Sequence, residues 1–152
     1  MQNPSPTPPQ SEAERRAHGD DDLSPRAIID RFNQLAFFDR KPVEAMERYL
    51  ADDFIERYPD FAQDTPGLTD KQATIAFFKT RGWREGEANA STIYKLLADG
   101  DEVMVFHHMT RGEDDRGLAF VDIFRVVDGL IVEHWAVGQP VSGKASARHP
   151  MF

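Results

Sequence analysis

The run Gly117–Pro140, GLAFVDIFRVVDGLIVEHWAVGQP, constrains this chain more than any other. Two apolar stretches rich in β-branched and aromatic residues flank Asp128-Gly129, a strong short-range signal for a β-hairpin. Asp122 and His134 lie inside those stretches. A titratable group set among aromatics is costly to bury without a partner, so the hairpin is either a satisfied polar core or the wall of a reactive pocket.

At 152 residues, 40% of them hydrophobic, the chain fits one domain with a substantial core. Its formal charge of -8 and scattered Lys and Arg argue against nucleic acid, which demands clustered cations. No apolar stretch approaches the roughly 20 residues of a membrane span and no signal-peptide core is visible, so a soluble, cytoplasmic protein without membrane partners is expected. The sequence contains no Cys. Disulfides, thiolate nucleophiles and Cys-ligated zinc are therefore excluded, and chemistry falls to His, Asp, Glu, Tyr or Lys.

Residues 1–22 carry prolines at 4, 6, 8 and 9 and then mixed charge, which predicts a disordered arm. The folded domain is expected over 23–141, with 142–152 as a tail. Ser24-Pro25 reads as an N-cap followed by Pro at N1, opening a helix that runs to about Phe38 on the period of Ile28, Ile29, Phe32, Leu35 and Ala36. A second helix is predicted over Val43–Leu50 and a third after Thr69 or Asp70, with Gly82 at its end. A brief extended piece, Phe54–Tyr58, separates them. Four strands follow, Thr92–Leu97, Glu102–Thr110, Leu118–Val126 and Leu130–Val137. Helices first and a meander second make an α+β fold.

Hairpin register decides whether Asp122 and His134 meet, since a slip of one residue reverses every side chain. A two-residue turn pairs Val127 with Leu130 and sets Asp122 opposite Trp135. A three-residue loop with Gly129 as a bulge pairs Val126 with Leu130. It places Phe120, Asp122, Phe124, Val132, His134 and Ala136 on one face, with Arg125 near Glu133 on the other. The second register is expected, with Asp122 and His134 directly opposed. Trp135 then shares the outer face with Ile131 and Val137. His107 and His108 alternate, and His108, with Met104, Phe106 and Thr110, is taken as the pocket-facing one.

The run Tyr49-Leu50-Ala51-Asp52-Asp53-Phe54 after the second helix, with Asp122-Ile123-Phe124-Arg125 and Ile131-Val132-Glu133-His134-Trp135 at the end, resembles the nuclear transport factor 2-like superfamily and its SnoaL-like polyketide cyclase branch. The resemblance spans roughly Ser24–Val141. It implies a cone, a curved antiparallel sheet wrapped over about three N-terminal helices, with a pocket in its mouth and a homodimer through the sheet's other face. The superfamily holds isomerases, cyclases, lyases and proteins without chemistry, so fold alone does not decide function. An ungapped registration against the ketosteroid isomerase branch sets Tyr58 at that family's base and Gln34 at its helix-one donor. Only the oxyanion-holding Asp is matched, by Asp122.

The expected site therefore has His134 as general acid or base and Asp122 as its orienter, as base, or as a protonated donor. Tyr58, His108 and Gln34 are positioning donors. Phe106, Phe120 and Phe124 line the apolar wall, and Trp83 is a lid or anchor. His108, His134 and Asp122 could form a 2-His-1-carboxylate set, but no short ligand motif supports a metal and the resemblance implies cofactor-free chemistry. Two functions stay open: a cyclase, isomerase or lyase acting on an apolar cyclic or aromatic compound, and a small-molecule carrier or dimeric adaptor.

Overall fold

Ser24 caps the first helix as its sequence predicts: its Oγ accepts the Ala27 N–H at 3.4 Å, and Pro25 fills the first helical position, where no donor is needed. The computed structural model describes residues 21–61, 65–80, 90–112, 114–143 and 148–152. Helix α1, Pro25–Asn33, continues as a π-helical turn, Gln34–Phe38, closed by Asp39 N–H to Gln34 C=O and released by Arg40 at φ 59°. Helix α2 covers Pro42–Tyr49 and α3 covers Asp70–Thr80. The arm before residue 21, Gly82 and Trp83 lie outside the described residues.

The strands are β1 Leu50–Glu56, β2 Ala90–Asp99, β3 Glu102–Thr110, β4 Leu118–Val127 and β5 Leu130–Pro140, in the order β1-β5-β4-β3-β2. The fold is α+β, three helices against a curved, unclosed five-stranded sheet. The sheet is mixed rather than antiparallel, because the short piece after α2 joins it as β1, parallel to β5. Helix faces and the inner sheet face meet in a core that includes Ile28, Phe32, Met46, Phe54, Val103, Val105, Phe124 and Ile131. Among the described residues no helix is long and apolar enough to cross a membrane.

The β4–β5 register differs from both sequence alternatives. Val127 pairs with Leu130 through a two-residue turn whose residues both have positive φ, Asp128 at 49° and Gly129 at 79°. The ladder then shifts between Arg125 and Val126: Val126 pairs with Ile131, Arg125 with Glu133, and Val132 is the extra residue. The turn obeys the Asp-Gly preference for paired positive φ, and a bulge a few residues later changes the phase. Ile131 is consequently not an outer residue. It is fully buried in the core, while Val132 takes no pair.

Candidate functional site

A cavity of about 210 Å³ opens between the helices and the inner sheet face. Phe32, Phe37, Phe54, Phe61, Phe77, Phe78, Phe120 and Phe124 supply much of its wall, and Glu56, Tyr58, Asp60, Thr74, His107, Arg111, Asp122 and His134 supply its polar groups. The π-helical turn contributes Phe37, whose ring lies 5.6 Å from that of His107. π-turns recur at functional sites because the added residue redirects one side chain out of the helical repeat.

The polar groups form one bonded run. Ser91 Oγ–H donates to His107 Nδ1 at 3.0 Å, and His107 Nε2–H donates to Asp122 Oδ2 at 2.6 Å. His134 Nε2–H donates to Asp122 Oδ1 at 3.1 Å, and His134 Nδ1–H to Glu56 Oε1 at 2.7 Å. Each of the five residues comes from a different strand: Glu56 from β1, Ser91 from β2, His107 from β3, Asp122 from β4 and His134 from β5. The imidazoles are held in plane by stacking, His134 between Phe61 and Phe124, and His107 against Phe120.

The electrostatics follow from that geometry. Burial disfavours the charged form of His134, yet its bonds to Asp122 and Glu56 outweigh this and push its pKa up to about 9. Burial likewise works against the Asp122 carboxylate, but the charge and hydrogen bond of His107, with the bond from His134, hold it well below the usual carboxylate range. Asp122 is therefore an ionised acceptor and not a protonated donor. Tyr58 is raised by burial and by its hydrogen bond to Asp60, so its phenol stays protonated at neutral pH.

Several expected site residues stand elsewhere. His108 faces away from the cavity: its Nε2–H donates to the Arg116 carbonyl at 2.7 Å and its ring stacks on Phe152, 4.4 Å between centroids. Phe106 shares that outer cluster, with Tyr94 and Phe152. The one-residue choice between neighbouring histidines fell on the wrong face, since His107 travels with the buried Val103 and Val105. Gln34 bonds Asp39 Oδ1 at 2.8 Å within the π-helical turn and is not part of the cavity wall. Asp122 and His134 do meet, but diagonally, because Asp122 pairs with Ala136 and His134 with Phe124. Tyr58, Phe120 and Phe124 line the cavity.

Sequence reasoning missed Glu56, Ser91 and His107. Glu56 reaches His134 because β1 lies parallel to β5, with Glu56 beside His134 in register and Arg57 N–H bonded to the His134 carbonyl at 2.8 Å. Asp70, in the first turn of α3, accepts the Glu56 N–H at 3.0 Å and ties that helix to the strand. Among the described residues no group of three or more His, Asp or Glu side chains is arranged to hold a metal ion.

The SnoaL-like domain family matches residues 29–134 of this sequence. A solved structure from Kribbella flavida that bears the name of a ketosteroid isomerase superposes with a TM-score of 0.59 at 22% identity, over 82% of this chain and 84% of that one. One from Bacillus cereus bearing the name of a polyketide cyclase gives 0.54 at 18%, over 90% and 87%. An NTF-2 like protein of unknown function from Burkholderia xenovorans gives 0.60 at 14%, over 80% and 88%. At these identities the likeness is one of fold. No curated protein matches the sequence.

Proposed function

The chain belongs to the SnoaL-like domain family, and from that premise we propose that it is a cofactor-independent enzyme that moves protons on a small apolar, cyclic or aromatic carbonyl or hydroxyl compound. The observation that carries this reading is the hydrogen-bonded run Ser91–His107–Asp122–His134–Glu56, of which His107, Asp122, His134 and Glu56 line a largely apolar cavity. Ionised groups in a water-poor cavity interact strongly, and there they are already oriented before substrate arrives. Cyclisation, isomerisation and elimination all begin with such a transfer. Tyr58, protonated at the rim, is the donor for a substrate oxygen. His107 takes the place that His108 held in the sequence reading.

The cavity also bounds size. A cavity of about 150 Å³ takes benzene, so 210 Å³ suits two fused rings or one substituted ring. The bicyclic ketone 2-tetralone, with its acidic benzylic hydrogens, is a direct probe. In D2O the protein should exchange those hydrogens faster than buffer, with saturation, as followed by proton NMR. Saturable binding without exchange would leave a carrier function and remove the catalytic one.

The outer sheet face supports a homodimer. Val121 pairs with Val137 and Ile123 with Trp135 there, and Val137 is 74% exposed. An apolar face of that kind pairs best with a second copy of itself.

A further inference from the structure

We propose that Glu56, through its Oε2, is the base that receives the substrate proton, and that His134 and Asp122 position it rather than touch the proton themselves. The inference rests on the proton-transfer reading above and assigns its acceptor atom.

The bonding pattern eliminates the alternatives one by one. Both His134 nitrogens face carboxylate oxygens, 2.7 Å from Glu56 Oε1 and 3.1 Å from Asp122 Oδ1. An imidazole satisfies two acceptors only by donating from both nitrogens, so this ring is an imidazolium with no lone pair to offer. His107 is equally engaged, its Nδ1 taken by the Ser91 hydroxyl and its Nε2–H given to Asp122 Oδ2. Each Asp122 oxygen already accepts one of these histidines. Asp60 is exposed at the rim, where water competes for it.

Glu56 differs. Its Oε1 accepts from His134 Nδ1 and from the Tyr58 N–H at 3.0 Å, whereas among the described residues Oε2 accepts nothing. The side chain is only 1% exposed yet lines the cavity. The step balances: a C–H bond next to the substrate carbonyl breaks, its proton goes to Glu56 Oε2, and its electron pair moves onto the carbonyl oxygen as an enolate. Return of that proton to another carbon isomerises the substrate. Attack of the enolate on a second carbonyl closes a ring.

The test compares the full-length wild type with Glu56→Gln and Glu56→Asp, measuring 2-tetralone exchange in D2O, 2-tetralone binding by NMR titration, and the His134 ring signals. Glu56→Gln keeps an oxygen for His134 but no base, so exchange at saturation should fall about a hundredfold or more while binding stays unchanged. Glu56→Asp keeps the charge and withdraws it by one methylene. It should bind as wild type, retain the His134 imidazolium signals and exchange at an intermediate rate. Wild-type exchange in a folded Glu56→Gln would overturn the assignment. So would wild-type exchange in Glu56→Asp if the Gln variant did not fold, or a parallel loss of binding and exchange in both. Absence of exchange in the wild type itself would instead overturn the proton-transfer reading, and the assignment with it.

Discussion

Asp122 Oδ1 and His134 Nε2 are bonded at 3.1 Å across a diagonal of the β4–β5 ladder, each directly opposed by an apolar partner, Ala136 and Phe124. Residues two apart across a sheet lie about 7 Å or more from one another at the backbone, and only long side chains on one face close that gap. The bulge at Val132 supplies the phase that lets them do so.

Removing either partner should be felt in both rate and stability. Asp122→Asn and His134→Gln are each expected to lower 2-tetralone exchange by about two orders of magnitude or more, and the double variant to be little worse than the poorer single one. Each should also lose roughly 1–3 kcal/mol of stability, because a buried polar partner is left unpaired. Urea melts and exchange rates on the same four proteins check both statements.

Stability should depend on pH through His134. Its pKa rises from 6.5 to about 9 in the folded protein, so its stabilising contribution is complete below pH 6.5 and is lost as pH climbs through 9. A shift of that size corresponds to on the order of 3 kcal/mol. Asp122 acts in the opposite sense: its depressed pKa contributes above 3.8 and is lost as pH falls further. Melting temperature should therefore plateau between about pH 4 and 6.5 and decline toward pH 10. In His134→Gln the alkaline decline should disappear.

Gly138 sits opposite Phe120, and a Cβ there would come within 2.5 Å of the ring. Gly138→Ala should push Phe120 off His107 and Tyr58, both of which it contacts through ring packing. Weaker 2-tetralone binding with a melting loss of about 1–3 kcal/mol is the expected result, measurable by titration and calorimetry.

The proposed homodimer predicts that Trp135→Arg sediments as a monomer. Wild type at tens of micromolar, on the order of ordinary interface affinities, should sediment at twice the chain mass. A wild type that sediments as one chain removes this assembly.

Much of the architecture was legible because it rests on local chemistry. Ser24-Pro25 starts a helix wherever it occurs, and alternation across Glu102–Thr110 and Leu118–Val127 marks strands without reference to their neighbours. What was hidden is non-local. Glu56 enters the site only because β1 pairs in parallel with a strand some 80 residues later, and no period within Phe54–Tyr58 announces that partner. His107 and His108 offer the same side chain on opposite faces, with flanking residues apolar on both. The Asp-Gly turn was readable, but the bulge that follows it responds to packing of Ile131 in the core and His134 at the cavity, a demand made by the rest of the molecule.

Both walls of the cavity break their own repeat by a single residue: the π-helical turn at Gln34–Phe38 on the helical side and Val132 on the sheet side. Each slip divides its element into a part that answers to the core and a part that answers to the reacting groups. Ile131 and His134 can thus both face inward although an odd number of bonds in a regular strand would forbid it. Drawing Val132 into the ladder as an ordinary pair would set His134 opposite Ile123 on the outer face, giving a tidier protein with an empty, unarmed cone. Register here, counted to the single residue, is a determinant of chemistry in its own right.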